Sequence, residues 1–596
     1  MTPTTPKPVY FGTGLFGWLH RPDGPHQADV GLVICNPFGF EEVCAHRSLR
    51  HLAESAAAAG MPTLRFDYSG SGNSAGDEFQ SDMLGRWRQS IHEAVEGLKQ
   101  ASGVRKVCLV GLRLGSLLAT LTAHERTDVA GLVLIAPVVR GRAYLRELTA
   151  LAQTGAGEFT EAPRGGPLES AGFVMSEETR TALTAIDLHE LEQAPAAHIL
   201  IVERDDLPGT ASWPAMLERL GAQVSVASWP GYLRMMDDPQ RAQVPVAIVD
   251  GVLRQVAQWC ELGAQAMGAD RAWGHASQTL WVGAAAPHRP LLETAVQIDG
   301  GESTLFAVLA RPASDEVTPG PAVLMLSAGS VHAIGPNRLW VRLARRWAAQ
   351  GVTVLRLDIS GIGDSPPRPG SNENIVYSPH ALQDIGAALR YLKGLPGVGA
   401  CHLLGLCSGA YHAFKAAVAG HVAASVVMIN PLTFSWHEGD RLSDVKEYEI
   451  FALTSKYRGK FFTREPWRKL VRGHLDWRLI REVALRRISG LAAPQLIEVA
   501  RWLRLPQQSD LLRDLKIAAN HGVTLRFIYA EGAPGFALMR KQSGHAITRL
   551  QASQAATLDF VAGADHTFTR VATRESLVQL LDLRLWPGRV RTKDGA

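Results

Sequence analysis

The chain has 596 residues, of which 46% are hydrophobic and 20% charged, and its formal net charge is +4. At roughly 150 residues per domain, with more for large α/β folds, this length allows two to four domains, of which two large ones fit best. Nucleic-acid binding needs a concentrated basic face, and the small net charge gives no indication of one, so we expect no nucleic-acid partner.

The first residues, MTPTTPKPVYFGTG, lack a basic segment followed by an apolar stretch. No later window approaches the roughly 18 uncharged apolar residues of a membrane span. We therefore expect a cytoplasmic protein without a membrane span. The cysteines show no CxxC spacing, which disfavours a disulfide framework and a zinc site and predicts mostly reduced thiols, with no metal or cofactor. They are Cys35, Cys44, Cys108, Cys260, Cys401 and Cys407.

An internal repeat organises the chain. The segment LRFDYSGSGNS at 64–74 returns 291 positions later as LRLDISGIGDS. The segment CLVGLRLGSLLA, from Cys108, returns 294 positions later as HLLGLCSGAYHA, from His402. A helical stretch separates the two members of each copy, and an apolar run, GLVLIAP or SVVMINP, follows the second. Two matches at nearly one offset predict two copies of one fold.

The apolar runs in both copies are rich in Val, Ile and Leu and do not alternate with polar residues. This pattern is typical of the buried parallel strands of a doubly wound α/β sheet. In copy one the runs lie at 31–35, 62–67, 107–111, 131–136, 198–203 and 224–229; in copy two they lie at 322–326, 353–358, 401–405, 425–429, 525–530 and 557–562. Each copy is therefore predicted to be a mostly parallel sheet with helices on both faces.

The stretch 262–290 has the small-residue, Pro and Gly content of a connector. We accordingly predict one domain at 1–270 and a second at 271–596. Each copy also carries a longer insertion after the strand that ends in its Pro. In copy two this insertion spans about 433–520, is helical in pattern, and contains Trp436, Trp467, Trp477, Trp502 and many arginines. Its position is that of a cap over an active site.

The candidate nucleophile is Cys407, at the centre of GLCSG (405–409). This segment follows a strand and opens a helix, which is the context of the nucleophile elbow GxSxG. A thiolate at a helix N-terminus is stabilised by the helix dipole and the free backbone N–H groups. Ser408 is a rival nucleophile, but it lies one residue beyond the apex, where its backbone N–H suits an oxyanion hole. A second oxyanion donor is expected at Gly329 or Ser330. The structural alternative is a small residue that merely fills a tight turn.

In this kind of site the chain order is nucleophile, acid, histidine. Glu531 directly follows a predicted strand and is the candidate acid. His566 lies in the loop after the final strand and is the candidate base, whereas the adjacent Asp565 is expected to fix the loop. In the resulting mechanism Cys407 attacks an acyl carbonyl, His566 takes its proton, and Glu531 orients the imidazole.

Copy one lacks these groups. Arg113 occupies the nucleophile position, and a permanently protonated guanidinium cannot attack a carbonyl. No histidine follows its acid-position strand until His275, and Gln240 occupies the region of a histidine loop. We therefore predict a non-catalytic domain, in which Arg113 either binds an anion or is buried and neutralised by Asp205 or Asp206.

These segments resemble bacterial serine aminopeptidase-like (S33-type) α/β-hydrolases, particularly the pair identified as exosortase-associated hydrolases. The resemblance rests on GPNRLWVRLARRWAAQGVTVLRLDISGIGDSP, GLCSGAYHAF and GADHTFT in copy two, and on GRAYLRELTAL and GFVMSEETRTALTAIDL in copy one. It implies two tandem α/β-hydrolase folds and maps Cys407 and His566 onto catalytic positions. In the corresponding family stretch we expect an aspartate where this chain has Ala533. The GxCxG box alone is also similar to dienelactone hydrolases and polyhydroxyalkanoate synthases.

The sequence thus predicts an acyl-transfer enzyme, a thioesterase, esterase or acyltransferase, that acts on a small-molecule or carrier-linked acyl group. The arginines and tryptophans of the insertion would suit a phosphate-bearing carrier such as coenzyme A, although solvated faces of amphipathic helices give the same pattern. The competing hypothesis is a non-catalytic binding or scaffolding protein made of two degenerate hydrolase folds. The sequence does not predict the acyl substrate, the acceptor or the oligomeric state.

Overall fold

The computed structural model contains two large β-sheets, one built from each half of the chain, and a separate two-stranded ribbon. It describes residues 5–22, 28–155, 167–206, 212–259, 277–283, 290–313, 319–421, 423–437, 440, 511–543 and 545–587. The predicted domain boundary near residue 270 lies outside these ranges and stays a prediction. Most of the predicted cap insertion, with Trp467, Trp477 and Trp502, also lies outside the described residues.

The first half contains ten strands and eight α-helices within the described ranges. The strands are β1 (Lys7–Phe11), β2 (Leu15–His20), β3 (Val30–Cys35), β4 (Thr63–Phe66), β5 (Lys106–Leu112), β6 (Val129–Ile135), β7 (Leu168–Ser170), β8 (Phe173–Met175), β9 (His198–Val202) and β10 (Gln223–Ala227). The helices are α1 (Phe40–Ala58), α2 (Met83–Ser102), α3 (Leu114–His124), α4 (Gly141–Gly155), α5 (Glu177–Thr184), α6 (Ser212–Arg219), α7 (Tyr232–Met235) and α8 (Val246–Trp259).

The second half repeats this alternation of strands and helices. Its strands are β11 (Thr279–Val282), β12 (Leu291–Asp299), β13 (Thr304–Pro312), β14 (Gly320–Leu326), β15 (Thr353–Leu357), β16 (Val398–Leu406), β17 (Ser425–Ile429), β18 (Thr524–Ala530) and β19 (Ala556–Val561). Its described helices are α9 (Leu339–Ala348), α10 (Ala381–Gly394), α11 (Ser408–Val418), α12 (Leu511–Asn520), α13 (Pro534–Ser543), α14 (Ala546–Ala552) and α15 (Val571–Leu585).

The two sheets share one topology over eight strands, and the second sheet adds β11 at its edge. The first has the strand order β1-β2-β4-β3-β5-β6-β9-β10, and the second has the order β11-β12-β13-β15-β14-β16-β17-β18-β19. From β4 to β10, and from β15 to β19, neighbouring strands pair in parallel. All twelve apolar runs chosen from the sequence are strands of these parallel regions, so the α/β fold class is confirmed. Strands β3 and β17 are buried along their whole length, as expected when helices cover both faces.

The sequence analysis did not predict the β7–β8 ribbon or the antiparallel strands at the start of each half, β1 and β2 in the first and β11–β13 in the second. These antiparallel strands at the start of each half extend both sheets and meet at the contact between the two halves, where Trp18 and Phe306 have ring centroids 4.8 Å apart. Phe16 lies 6.0 Å from the same Phe306 ring, and the backbone of Tyr10 pairs with Ser277. These aromatic side chains are buried and join the two halves through an apolar core.

Charged side chains cross the same contact in a reciprocal pattern. Arg65 of the first half forms an ion pair with Asp364 of the second. Arg356 of the second half donates from Nη1 to Asn73 Oδ1 of the first at 2.7 Å. Arg65 and Arg356 are 291 positions apart, and so are Asn73 and Asp364. The halves therefore meet through equivalent surfaces, as the subunits of a two-fold dimer do.

Arg338 makes the densest set of bonds between the halves. Its guanidinium donates to the carbonyl oxygens of Gly70 (2.8 Å), Gly72 (2.8 Å), Ser74 (2.6 Å) and Gly76 (2.9 Å). The glycines of this turn adopt positive φ, which directs successive carbonyls towards one point. Burial lowers the pKa of Arg338, so the four carbonyl dipoles are what make its charge tolerable inside the protein.

The five described cysteines are not joined in disulfides, and Cys260 lies outside the described ranges. No helix in the described part of the chain is both long and apolar enough to cross a bilayer.

We expect Arg338→Met to lower the free energy of unfolding by about 2–4 kcal/mol, because several buried carbonyls lose a charged donor. Urea and thermal unfolding of the full chain measure this loss. Arg342→Met is the matched control, since Arg342 is 26% exposed and its bond to Glu575 should contribute less than about 1 kcal/mol. Equal losses in the two variants would contradict the assigned role of Arg338.

Candidate active site

Cys407 occupies the apex of a strained turn between β16 and α11. Its backbone has φ 56° and ψ −116°, a conformation that L-residues rarely adopt. The turn is closed by close backbone contacts at its glycines: a Cβ on Gly405 would lie 2.2 Å from the Gly409 backbone, and one on Gly409 would lie 2.6 Å from the Ser327 carbonyl oxygen. The sequence GLCSG therefore folds here because only glycine fits on both sides of the apex.

Aromatic side chains border Cys407. Tyr377 stacks on Trp436 with ring centroids 4.1 Å apart and packs edge-on against Tyr411 at 5.2 Å. Burial raises the pKa of Tyr377, and the negative charge of a Cys407 thiolate raises it further, which shows that the phenol and the thiol share one electrostatic environment. The sequence analysis missed Tyr377 and Tyr411. The only available signal was the position of Tyr411 within the segment that follows the elbow.

Ser408 is committed to a structural hydrogen bond. The backbone N–H of Gly329 donates to Ser408 Oγ at 2.8 Å, and Ser408 is 1% exposed. Its hydroxyl is thus turned towards the loop after β14. Of the two residues considered as second oxyanion donors, Gly329 has its N–H engaged in this bond. Ser330 Oγ, by contrast, is buried and lacks a hydrogen-bond partner in the described part of the chain.

His566 lies in the loop after β19. Its Nε2 atom is buried and has no hydrogen-bond partner among the residues that the structure describes. Burial lowers the pKa of His566 to about 4, against a smaller opposing effect of Asp565. The imidazole is therefore neutral at physiological pH and has the protonation state that a general base requires.

Asn430 ties the histidine loop to the neighbouring strand. It is the first residue after β17 and has φ 46°. Its Oδ1 accepts a bond of 2.7 Å from the N–H of Ala530, at the end of β18, and its Nδ2 donates to the His566 carbonyl at 2.8 Å. The sequence analysis missed this residue. Ala136, 294 positions earlier in copy one, has the same φ but no amide.

The acid of the candidate triad forms no hydrogen bond to His566 among the described residues. Glu531 follows β18 directly, and its N–H donates to the Val561 carbonyl at 3.0 Å, but its side chain is exposed. Asp565 accepts bonds from the Thr569 N–H (2.8 Å) and hydroxyl (2.6 Å), which fix the loop. Within the described ranges, no carboxylate hydrogen-bonds to His566. The assignment of Glu531 stays a prediction.

Arg113 occupies the matching elbow of copy one, with φ 54° and ψ −120°. Its Nε donates to Glu41 Oε1 at 2.8 Å, a second bond joins it to Glu147, and its guanidinium lies 5.3 Å from the Tyr144 ring centroid. Burial disfavours the charged form, but these carboxylates together raise the pKa of Arg113. A fully paired guanidinium at the apex leaves this elbow without a nucleophile.

The prediction that Asp205 or Asp206 would neutralise Arg113 is wrong. Asp206 accepts two bonds from Arg204, at 2.9 and 2.6 Å, because these side chains are two residues apart in one turn. Asp205 accepts a bond from the backbone N–H of Gly231 at 3.2 Å. Both carboxylates are satisfied locally, so Arg113 pairs with helices α1 and α4 instead.

Gln240 faces the second half of the chain. A Cβ placed on Gly329 would come within 2.9 Å of Gln240 Nε2, so the two residues are in direct contact. Asn374 Nδ2 donates to the carbonyl oxygens of Pro239 (3.0 Å) and Gln240 (3.3 Å). The loop that was expected to lie in the site of copy one therefore packs against the loops of copy two.

One group of side chains between the halves has the composition of a metal site. Glu42, His46 and His332 offer ligand atoms within 4.8 Å of one another. The His46 and His332 rings, however, are stacked 3.9 Å apart at 13°, so their in-plane lone pairs do not converge on one ion. Burial lowers the pKa of His46, but Asp364 and Glu42 outweigh it and raise the pKa to about 9. The group is therefore an ionic contact between the halves.

The parallel sheets and the strand–elbow–helix geometry define α/β-hydrolase domains. A sequence model of the family described as serine aminopeptidase, S33, matches residues 33–197. A second model, of the alpha/beta hydrolase family, matches residues 323–576. The chain therefore belongs to the α/β-hydrolases, as two domains in tandem, and these matches support an enzyme of the hydrolase class.

Several solved structures are similar to part of the chain. Est1E from Butyrivibrio proteoclasticus, with ferulic acid bound, is 20% identical, covers 42% of this chain and 99% of its own, and has a TM-score of 0.32. An alpha-beta serine hydrolase homologue from Coxiella burnetii is 16% identical, with coverages of 43% and 98% and a TM-score of 0.28. A thermostable carboxyl esterase from Bacillus coagulans is 15% identical, with coverages of 43% and 99% and a TM-score of 0.31. No curated protein matches the sequence.

Asn430→Ala should release the His566 loop, because the His566 carbonyl and the Ala530 N–H both lose their partner. We expect a loss of about 1–3 kcal/mol in stability and a fall in turnover of roughly 10- to 100-fold, since small displacements of a catalytic group are costly. Ser425→Ala is the control: it removes a partly buried hydrogen bond of 2.8 Å to His402 at the opposite end of β17. Equal losses of turnover in both variants would contradict a positioning role for Asn430.

Proposed function

We propose that the second half of the chain is an acyl-transfer enzyme that works through a cysteinyl acyl-enzyme. The observation that carries this proposal is the position of Cys407 at the strained apex between β16 and α11, while the neighbouring Ser408 hydroxyl is engaged by Gly329. A sulfur atom at this apex lies at the N-terminus of α11, where the helix dipole stabilises the thiolate. The α/β-hydrolase matches support the same reaction class.

In the proposed reaction, Cys407 Sγ attacks the acyl carbonyl carbon and its proton passes to His566. The negative charge on the carbonyl oxygen is stabilised by the backbone N–H of Ser408 and by a donor in the loop after β14. We favour Ser330 for that donor, because the N–H of Gly329 is already engaged. Collapse of the tetrahedral intermediate expels the leaving group, which takes the proton from His566. Water or another acceptor then cleaves the thioester by the same steps in reverse order.

We assign the orienting acid to Glu531 as a proposal, because it directly follows β18, the strand beside the histidine loop. The buried Tyr377 and the partly buried Tyr411 and Trp436 favour an apolar or aromatic acyl group over a charged one. The proposed substrate is thus a small or carrier-linked acyl ester or thioester, and the enzyme a thioesterase, esterase or acyltransferase.

The first half is proposed to act as a scaffold without turnover of its own. Arg50 Nη2 donates to Glu373 Oε1 at 2.6 Å, and His51 Nε2 lies 2.8 Å from Glu373 Oε2. Glu373 begins the segment that leads to Tyr377, and Gln240 contacts Gly329 on the other side. The first half therefore supports the two loops that flank the candidate nucleophile. We propose the boundary between the halves at residue 270.

Cys407→Ala should abolish formation of an acyl adduct and turnover, because no other residue near the elbow replaces the thiol. The measurement is intact-mass analysis after incubation with a panel of acyl esters and thioesters, with iodoacetamide as a thiol probe. Cys401→Ala is the matched control, since Cys401 is a buried thiol on β16, the strand that leads to Cys407. Retained turnover in Cys407→Ala together with its loss in Ser408→Ala would identify the serine as the nucleophile.

The same experiment separates the enzyme from a scaffold of two degenerate domains. Adduct formation at Cys407 that His566→Ala slows by about 10⁴-fold supports a general-base mechanism. A Cys407 that forms no adduct with any ester or thioester, in a folded protein, supports the scaffold instead.

The pH dependence of kcat/KM should report the depressed pKa of His566. A histidine with a pKa of about 4 is neutral above that pH and loses its capacity as a base below it. We therefore expect the acidic limb of the profile near pH 4 rather than near the ordinary histidine value of about 6.5. Circular dichroism at each pH checks that the protein stays folded. An acidic limb at pH 6–7 would mean that the imidazole is not desolvated as the structure has it.

A further inference from the structure

A cavity lies in the first half of the chain, on the side of the elbow that carries Arg113. The space in it that is open to the centre of a water molecule is about 50 Å³. This is several times the roughly 10–15 Å³ that one buried water needs, so the cavity has room for a small organic molecule. Its lining comes from the loop after β3, the turn at 70–78, helices α2 and α3, and strand β8, with a contribution from the second half. None of these residues belongs to the site proposed around Cys407.

The walls of the cavity are mainly aromatic and aliphatic. Phe38 and Trp87 face each other with ring centroids 5.6 Å apart, and Tyr68 lies 6.5 Å from Trp87. Met83 and Leu118 complete this surface. Flat rings and flexible thioethers together accommodate a planar or branched apolar group.

Three side chains in the wall have a buried oxygen without a hydrogen-bond partner among the described residues: Glu42, Tyr68 and Glu78. Glu42 Oε1 lies 3.5 Å from His46 Nδ1, and the Tyr68 hydroxyl interacts with Cys35.

Glu78 Oε2 is buried and accepts no hydrogen bond from any residue that the structure describes. The other oxygen, Oε1, lies 3.8 Å from Arg342 Nη1, and the carboxylate also interacts electrostatically with Arg338 and Arg574. Because three guanidinium groups already compensate its charge, Glu78 needs a hydrogen-bond donor rather than a further cation.

We propose that this cavity binds a small neutral molecule with an aromatic or branched apolar body and one hydroxyl or amide donor, which bonds to Glu78 Oε2. The site is separate from the proposed acyl-transfer site. Ile334, Asn337 and Arg338 of the second half also line it, so its ligand touches both halves of the chain.

Four related probes on the full-length chain test this proposal: 2-phenylethanol, ethylbenzene, 2-phenylethylamine and phenylacetate. Isothermal titration calorimetry gives the affinities, and thermal unfolding gives the stabilisation. We expect 2-phenylethanol to bind at least about tenfold more tightly than ethylbenzene, because a hydrogen bond to a charged acceptor is worth at least that factor. We expect phenylacetate, which would oppose Glu78, to bind most weakly.

Two variants locate the bound probe. Glu78→Leu removes the acceptor, so the preference for 2-phenylethanol over ethylbenzene should fall to about onefold. Glu177→Leu, at an exposed glutamate that does not line the cavity, should leave the preference unchanged. Leu118→Trp should fill the cavity and abolish binding of both probes; circular dichroism and thermal unfolding without probe check that it folds. If Leu118→Trp does not fold, the Glu78→Leu comparison decides alone.

Absence of binding by all four probes to the folded wild-type chain would overturn the proposal. So would a preference for 2-phenylethanol that survives in Glu78→Leu. Tighter binding of 2-phenylethylamine than of 2-phenylethanol would show that the cavity selects cations and would overturn the neutral ligand class. None of these outcomes depends on whether Cys407 is a nucleophile.

Discussion

The contact between the two halves is the constraint on which the other features depend. Guanidinium groups buried there are tolerable only if fixed acceptors surround them, which sets the orientation of one half relative to the other. Arg338 finds four carbonyl oxygens in one turn of the first half, while Arg65 and Arg356 each reach across to the opposite half. The loops beside Cys407 are then held from the other half of the chain, by Arg50 and His51, which bind Glu373, and by Gln240, which contacts Gly329. Two hydrolase domains that merely followed each other in sequence would not need these bonds.

Comparison of the two copies distinguishes the features of the elbow that the fold needs from those that catalysis needs. Arg113 and Cys407 have nearly the same φ and ψ, although only one of them can be a nucleophile. Gly111 and Gly405 each leave no room for a Cβ, at 2.4 and 2.2 Å from the following turn. The strained conformation therefore follows from close packing between strand and helix. What distinguishes the second copy is the thiol together with Asn430 and His566, where the first copy has an arginine, Ala136 and no histidine.

The parallel strands could be predicted because an unbroken apolar run is visible in a short stretch of sequence. The elbow could be predicted because the spacing of its glycines is also visible in a short stretch. The antiparallel strands β1, β2 and β11–β13 were not predicted, because their apolar residues pack in the contact between the two halves. No short sequence pattern indicates that contact. The partners of Arg113 were assigned wrongly for the same reason: Glu41 is 72 residues away and reaches it only through packing of α1. Tyr377 and Asn430 were missed because their roles depend on Trp436, His566 and other partners far along the chain. The acid stays open because Glu531 is supported by chain order and not by a bond to His566.

The turn at 70–76 links the proposed cavity to the rest of the molecule. One side of this turn binds Arg338, and the other forms part of the cavity wall, where Arg338 itself is exposed to the space. A ligand that touches both halves stabilises the assembled arrangement over any arrangement in which they separate, by an amount set by its concentration and affinity. By linkage, whatever tightens the contact between halves also tightens binding in the cavity. Because that contact also supports the loops at Gly329 and Tyr377, we expect a ligand in the proposed cavity to be coupled thermodynamically to the geometry around Cys407.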